Sequence, residues 1–432
     1  MTNMSKEGGL SLRITMKSKF SSLLIFVFLL SMLASPFSSA AQSGEQKPSL
    51  VALGDSITYG WNLDQDRTKP STHAFPYLIG DGYFQVNNLS YPGWTSENLL
   101  TAFETNPAYG QAIADADMIT LSIGSNDLLQ AANLSELLAS GKPITDPAEL
   151  LALQQKVAAA SLKLSENLQT IIGFIRVQNP DAPIVFYNIY NPFGPSTDQF
   201  AGFVHSIGEQ IVNGVNASVI TPVAEGSQSI LVDAYTAFNG KQASYILPND
   251  IHPTVEGQQV LANIASDAIL PLLPQEWKLV DGNWMYKHGW NLKKGWLHDK
   301  GAWYYLDKST GIMQTGWELV DGNWYYLNQS GAMKTGWYKE NSTWYHLSAS
   351  GAMSKGWLWK DNQWYYFGKS GAMKTGWYEE NGTWYYLNTS GEMAKGWKLV
   401  GKTWYYFYSN GKMAHDTTIE GYKINSLGVW VK

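Results

Sequence analysis

The sequence contains no cysteine. This absence excludes disulfide bonds, a cysteine nucleophile and zinc or iron–sulfur centres held by thiolates. The sequence also has no run of basic residues and carries a formal net charge of −6, which argues against nucleic acid or an anionic membrane as its main partner. The histidines are scattered without metal-ligand spacing, so we predict neither a metal site nor a cofactor.

Tryptophan is scarce in the first part of the chain, where only Trp61 and Trp94 precede residue 277. The remaining 17 of the 19 tryptophans lie from Trp277 onward. A length of 432 residues is sufficient for two or three domains. The uneven distribution therefore predicts two domains of different composition, which we place at residues 46–274 and 275–432.

The N-terminus has the pattern of an export signal, which we place at residues 1–41. Lys17 and Lys19 precede an apolar run at 23–33, and the small residues at 38–41 suit cleavage. The run is short for a membrane span, so cleavage is favoured over a retained anchor. Met16 is an alternative start, because it would give a more usual signal length.

Residues 46–274 show an alternation of strands and helices. Short apolar runs, each typical of a strand buried on both faces, occur at 50–53, 118–123, 184–188 and 230–233. Helical periodicity is clearest at 147–177, with apolar positions that include Leu151 and Leu162, and it returns at 254–269. This order predicts an α/β domain of three layers, with a parallel sheet between helices.

The C-terminal part is an internal repeat. Gly-Trp pairs place tryptophan at 296, 317, 337, 357, 377 and 397, with a spacing of 21 once and then 20. Within a unit, residues 324–327 alternate as a strand does, and Asp321-Gly322 suits a hairpin turn. One hairpin is too small to bury a core, so we predict a β-hairpin solenoid in which stacked units bury an aromatic seam.

The segment Gly54-Asp55-Ser56-Ile57-Thr58 directly follows the first predicted strand. In an open parallel sheet, ligands bind beyond the carboxyl ends of the strands. Ser56 would lie there at the start of a helix, where free N–H groups and the helix dipole stabilise negative charge. Ser56 is therefore a candidate nucleophile.

Four segments together resemble the GDSL/SGNH hydrolase family, at 54–58, 91–93, 124–127 and 249–253. The resemblance implies a flavodoxin-like α/β fold, Ser56 as nucleophile and His252 as its base. It also implies that the Gly93 N–H and the Asn126 amide stabilise the oxyanion. Each residue alone also fits a structural role, but their joint occurrence in order favours catalysis.

The acid of the expected triad is displaced. The family usually places its carboxylate three residues before the histidine, and that position is Asn249. Asp250 lies two residues before His252. We predict that Asp250 supplies the carboxylate through a local adjustment of the loop; the alternative is a dyad in which a backbone carbonyl orients His252.

The repeats at 277–416 resemble choline-binding, cell-wall-binding modules. Such modules imply sites between units in which aromatic faces and a methionine hold a quaternary ammonium by cation–π attraction. The predicted ligand-binding residues are Trp317, Trp324, Met333, Trp337, Trp344, Met353, Trp357, Trp364, Met373, Trp377, Trp384 and Trp397. The first and last units depart from the pattern, which predicts end caps without a full site.

Two alternatives accompany the prediction for the repeats. The aromatic residues could serve only to build the solenoid, and related aromatic repeats bind glucans instead of choline. Binding of several weak sites to one polymer would give avidity in either case.

Together, these features predict a secreted serine esterase or lipase of a Gram-positive cell wall. Its substrate would be a carboxylic ester, either an acyl lipid or an O-acetyl group on a glycan, and its partner a choline-bearing teichoic acid or a glycan. The alternative is a surface adhesin without catalytic activity.

Overall fold

The protein is represented by a computed structural model that describes residues 47–432. The predicted export signal lies outside the described residues. Within 47–432, none of the helices combines the length and apolar character that a membrane crossing requires.

A parallel five-stranded sheet forms the centre of the N-terminal domain, in the order β2-β1-β3-β4-β5. Its strands are β1 Ser49–Gly54, β2 Gln85–Asn88, β3 Met118–Ser122, β4 Ile184–Tyr187 and β5 Ile230–Val232. All four predicted strands are present. The edge strand β2 was missed, because its polar sequence QVNN lacks an apolar run.

Helices cover both faces of this sheet, as predicted. They are α1 Ser56–Tyr59, α2 Phe75–Leu78, α3 Ser96–Thr105, α4 Ala108–Ala114, α5 Ser125–Ala131, α6 Leu134–Ser140, α7 Pro147–Gln178, α8 Gln199–Val215, α9 Thr221–Gly226, α10 Ala234–Phe238, α11 Gln242–Tyr245 and α12 Val255–Ile269. Short 3-10 turns occupy Ile79–Asp81 and Leu270–Leu272, and a π turn occupies Asn216–Ile220.

Successive residues of β1 belong to two separate cores. Val51 and Leu53 pack in the core under α7, whereas Leu50 and Ala52 pack in the core under α12. Side chains alternate between the two faces of a strand, and each face of β1 lies in a core that requires apolar residues. The sequence of β1 is therefore a continuous apolar run. The sheet is thereby held between two helical layers.

The long helix α7 is present as predicted, but part of its predicted apolar face is exposed to solvent. Leu168, Ile172 and Ile175 are buried against the sheet. Leu151 and Leu162, which share the predicted periodicity, are 55% and 71% exposed. They lie on the solvent side, because only one stripe of a helix can face a single sheet.

The C-terminal part consists of antiparallel hairpins, which confirms the predicted fold class. The first sheet contains β6 Gln275–Val280, β7 Asn283–His288 and β8 Asn291–Leu292. Six hairpins follow, formed by β9 Gly295–Asp299 with β10 Ala302–Leu306, β11 Gly316–Val320 with β12 Asn323–Leu327, β13 Gly336–Glu340 with β14 Thr343–Leu347, β15 Gly356–Lys360 with β16 Gln363–Phe367, β17 Gly376–Glu380 with β18 Thr383–Leu387, and β19 Gly396–Val400 with β20 Thr403–Phe407.

A repeated hydrogen bond stacks these hairpins. The Met353 N–H donates to the Trp324 carbonyl, and the Met373 N–H donates to the Trp344 carbonyl, both at 2.8 Å. The last residue of each second strand, such as Leu347 or Phe367, is completely buried. The units therefore share one narrow core, as expected for a solenoid.

Candidate active site

The turn after β1 places Ser56 at the first position of α1. Gly54 is needed there, because a Cβ atom would lie 2.5 Å from the Ser122 carbonyl oxygen and 2.2 Å from Thr58 Oγ1. Asp55 then caps α1 by accepting a hydrogen bond from the Ile57 N–H at 2.9 Å. Ser56 is only 8% exposed, at the N-terminal end of the helix.

Asp55 is fixed inside the protein beside Ser56. Burial raises the pKa of its carboxyl group to about 7; the hydrogen bond from Ile57 opposes this shift, and the charge of Asp127 adds to it. Its role as the cap of α1 explains its position. The contact with Ile57 is that of a carboxylate which fixes the turn before α1.

His252 reaches Ser56 from the loop between α11 and α12. The Leu247 N–H donates to the His252 carbonyl at 2.9 Å, and the Tyr190 hydroxyl donates to the Ile251 carbonyl at 3.0 Å. These bonds hold the loop against the carboxyl end of the sheet. His252 Nε2 consequently lies 2.9 Å from Ser56 Oγ, across 196 positions of sequence.

Asp250 is the acid beside His252. Its Oδ1 lies 2.5 Å from His252 Nδ1 and also accepts the Ile251 N–H at 2.7 Å. Its Oδ2 accepts a hydrogen bond from Asn62 Nδ2 at 2.6 Å. Asn249, at the usual acid position, is exposed and has a left-handed φ of 57°, so the chain turns there and presents the following residue to the histidine.

The surroundings of Asp250 favour its charged form. Burial by itself would raise the pKa of this carboxyl group, but hydrogen bonds from His252, Ile251 and Asn62 together outweigh burial and lower the pKa below its usual range. Sequence reasoning missed Asn62, because nothing in its local sequence indicates a partner 188 residues away.

Asn126 is the second residue of α5, and Gly93 lies in the turn between β2 and α3. Asn126 Nδ2 donates to the Trp94 carbonyl at 2.9 Å, which ties α5 to the turn that contains Gly93. The Tyr91 N–H donates to the Gly54 carbonyl at 3.3 Å, which ties the same turn to the end of β1. Gly93 has a φ of 79°, and a Cβ atom there would meet nothing within 4 Å.

An apolar cleft opens from Ser56 and His252. It takes up about 810 Å³ of empty space, including solvent at its mouth. Its walls come mainly from α5, α6 and α8, with Leu128, Leu134, Leu137, Val204, Ile207 and Ile211 among the lining residues. Helix α8 was not predicted.

The aromatic residues of the hairpins form a recurring arrangement. The Trp337 ring lies 6.2 Å from the Trp344 ring of its own hairpin and 4.9 Å from Tyr365 of the next, centroid to centroid. Trp357 and Trp377 repeat this geometry with the residues 7 and 28 positions further on. Tyrosines join the sequence-predicted tryptophans in these clusters.

The next Gly-Trp tryptophan does not join the same cluster. In the next unit, the ring nearest to Trp317 is that of Tyr345, at 4.9 Å between centroids. The second-strand tryptophans keep an open face: Trp324, Trp344, Trp364 and Trp384 are 36–44% exposed.

The methionines lie at the contact between units. Met333, Met353 and Met373 pack on the turn glycines Gly351, Gly371 and Gly391, where a Cβ atom would lie 2.1–2.3 Å from the sulfur. Each glycine also has a positive φ of 78–94°. The methionine side chains therefore hold successive units together.

Comparisons with known protein families match both parts of the chain. The GDSL-like lipase/acylhydrolase family model matches residues 52–260, which include Ser56 and His252. The choline-binding repeat model matches 314–357 and 354–396, and a cell wall binding repeat model matches 294–313 and 395–413. Residues 52–260 form a GDSL-like lipase/acylhydrolase domain, and choline-binding repeats follow it.

Individual proteins are similar either to the GDSL-like domain or to the repeats. The GDSL-like domain is similar to the uncharacterized protein YpmR of Bacillus subtilis, at 22% identity over 51% of this chain and 80% of that protein. An extracellular lipase from Streptomyces rimosus is 20% identical over 51% of this chain and 99% of its own, with a TM-score of 0.40. CbpJ from Streptococcus pneumoniae is 46% identical, with a TM-score of 0.35; the match covers 37% of this chain but only 58% of CbpJ.

Proposed function

We propose that this chain is an extracellular serine esterase that is held on a choline-bearing cell-wall polymer by its repeats. The observation that carries the proposal is the chain of contacts from Ser56 Oγ to His252 at 2.9 Å and on to Asp250 at 2.5 Å, placed beside an apolar cleft. A nucleophile, a base and a group that orients the base are the parts that acyl transfer requires.

The reaction follows from these positions. His252 Nε2 takes the proton of Ser56 as Oγ attacks the ester carbonyl carbon, and the charge of Asp250 stabilises the resulting imidazolium. His252 then protonates the leaving alcohol. Water repeats the sequence on the acyl-enzyme and releases the carboxylic acid.

Negative charge on the ester oxygen would meet three N–H donors. The Ser56 N–H belongs to the first turn of α1, and the Gly93 N–H lies on the adjacent loop. Asn126 uses one of its two amide hydrogens on Trp94, which leaves the second for the oxyanion. Removal of one such donor typically lowers the rate by about 10²–10³-fold.

The cleft supports an acyl lipid as substrate rather than an O-acetyl glycan. An acetyl group has a single methyl to bury and would leave the space between α6 and α8 without an apolar occupant. A longer acyl chain would fill it, and each buried methylene contributes about 0.8 kcal/mol. The side chains of Leu137, Ile207 and Ile211 line its path.

With p-nitrophenyl esters, we expect kcat/KM to increase from the acetate to the octanoate. Ile207→Trp should lower kcat/KM for the octanoate by about tenfold or more, because it fills the cleft, while the acetate changes by less than about threefold. Val177→Trp, at a 79% exposed position of α7, is the matched control. Equal loss on both esters would contradict a binding site for the acyl chain.

The tail supports tethering, because its tryptophan clusters expose aromatic faces that suit a trimethylammonium group. We expect the full chain to bind a choline or DEAE resin, to hydrolyse p-nitrophenyl esters while bound, and to elute with free choline. A glucan resin is the comparison. If the chain binds the glucan resin and free choline does not elute it, the partner of the repeats is a polysaccharide and not choline.

A further inference from the structure

Asn62 lies in the loop that follows the helix of the nucleophile. Helix α1 ends at Tyr59, and the Trp61 N–H then donates to the Ser56 carbonyl at 3.0 Å. Asn62 has a left-handed φ of 71°, a conformation that asparagine adopts more readily than most other residues do. The turn after α1 therefore sets the direction of the Asn62 side chain from the same segment that holds the nucleophile.

Further contacts fasten this loop to the domain. The Ser71 N–H donates to the Tyr59 carbonyl at 2.9 Å, and the Tyr59 hydroxyl donates to the Arg67 carbonyl at 3.0 Å. The guanidinium carbon of Arg67 lies 5.1 Å from the centre of the Trp61 ring, close enough for a cation–π contact. These contacts fix the loop without any contribution from the histidine loop on the other side of the site.

The two oxygens of the Asp250 carboxylate have different partners. Oδ1 faces His252 Nδ1 and accepts the Ile251 N–H. Oδ2 accepts the hydrogen bond from Asn62 Nδ2 at 2.6 Å, and among the described residues it has no second partner. The terminal torsion of an aspartate side chain is broad when nothing restrains it. The contact with Asn62 therefore restrains the torsion on which the contact with His252 depends.

Solvent competes with Asn62 for this carboxylate oxygen. The Asp250 side chain is 22% exposed, so water reaches a carboxylate that the protein does not hold. The turn at Asn249, with its φ of 57°, brings Asp250 to the histidine from a position nearer in sequence than the family's usual one. Without the donor from Asn62, Oδ2 would be hydrated and the carboxylate would be free to turn away from Nδ1.

The chemistry of the donor also suits the proposed reaction. An amide N–H orients a carboxylate and leaves its negative charge in place. A lysine or arginine at position 62 would pair with that charge and weaken its effect on the imidazolium. Among the described residues, the ion pair of Asp250 is the one with His252. Asn62 thus supplies direction to the carboxylate without a competing positive charge.

We propose that Asn62 is a positioning residue of the esterase, which holds the Asp250 carboxylate in the rotation that directs Oδ1 at His252. It acts through Asp250 and does not touch the reacting atoms. The proposal rests on the proposed serine-esterase function and extends it to a residue outside the four segments that carry the family resemblance. Asn62 would also couple the loop of the nucleophile to the loop of the base.

Asn62→Gly in the full chain tests this role, because glycine removes the amide and still adopts the left-handed φ. With p-nitrophenyl acetate, we expect kcat to fall by about tenfold to a hundredfold, the order of loss that a small misplacement of a catalytic group causes. KM should change by less than about twofold. In the Asp250→Asn background, the same substitution should change kcat by less than about threefold, since the charge that Asn62 orients is then absent.

Gln228→Gly is the matched control, since it removes an exposed side chain from another left-handed position, with a φ of 54°, just before β5. It should keep kcat within about twofold. Loss of kcat by the same factor in both backgrounds, as damage to the fold would cause, would overturn the proposal.

The wild type separates this proposal from the function on which it rests. Normal kcat in Asn62→Gly, while the wild type shows turnover that depends on Ser56, would overturn the positioning role and leave the esterase intact. Normal kcat in Asp250→Asn would also overturn it, because Asn62 would then have no catalytic partner to act through. A wild type without turnover that depends on Ser56 would overturn both proposals.

Discussion

Ser56→Ala is expected to lower kcat/KM for p-nitrophenyl acetate by about 10⁴-fold or more. Ser56 Oγ is the atom that would form the acyl-enzyme, and His252 Nε2 lies 2.9 Å from it. Without the serine hydroxyl, His252 has no nucleophile to deprotonate. In serine hydrolases, loss of the nucleophile leaves only the catalysis that comes from binding and from the oxyanion donors. The loss should therefore appear mainly in kcat.

A second serine provides the matched control. Ser161 is on α7, where its hydroxyl donates to the Val157 carbonyl within the helix. Ser161→Ala should keep activity within about twofold, since Ser161 is half-buried on α7, does not line the cleft beside Ser56, and loses only a hydrogen bond within its own helix. Activity in Ser56→Ala equal to that of the wild type would remove Ser56 from the mechanism. A wild-type protein without turnover would favour the adhesin hypothesis.

The central sheet could be predicted because its strands are locally distinctive. Residues 50–53 and 184–187 form apolar runs, and burial on both faces of the sheet requires such runs. The position of Ser56 follows directly, because it comes at the end of the first run. The edge strand Gln85–Asn88 lacks this signal, since pairing on one side and exposure on the other allow polar residues.

The wall of the cleft was harder to predict from the sequence. Helix α8 contains Gly202, Gly208 and Gly214, which lower helix propensity by about 1 kcal/mol each relative to alanine. Tertiary packing of its apolar residues offsets the stability that the glycines remove from the helix. The local hydrophobic periodicity of the sequence does not reveal this stabilisation. The substrate preference proposed here could therefore be inferred only after folding was known.

The aromatic clusters show the same limit. The 20-residue period reveals that a Trp and a Tyr recur, but not which pair meets. In the stacked hairpins, the Trp337 ring contacts Tyr365, 28 positions away, rather than the next Gly-Trp tryptophan. A backbone hydrogen bond between stacked units, such as the one from Met373 to Trp344, accompanies this contact, and it forms only in the assembled solenoid.

Asp250→Asn is expected to lower kcat at neutral pH by about 10³–10⁴-fold, with a small effect on KM. An amide can still accept a hydrogen bond from His252 but carries no charge to stabilise the imidazolium. Since hydrogen bonds outweigh burial and lower the pKa of Asp250, its carboxylate is already ionised throughout the neutral range in the wild type. The defect should therefore not be relieved between pH 6 and pH 8.

Asn249→Gly distinguishes the two candidate positions for the acid, because glycine removes the side chain and still adopts the left-handed φ of 57° at this position. Asn249 is exposed, and its side chain is not the partner of His252, so this variant should retain activity within about threefold. A loss in Asn249→Gly together with normal activity in Asp250→Asn would assign the role of the acid to position 249. Normal activity in both would favour a dyad oriented by a backbone carbonyl, because a carboxylate 2.5 Å from Nδ1 that contributed nothing could only be structural.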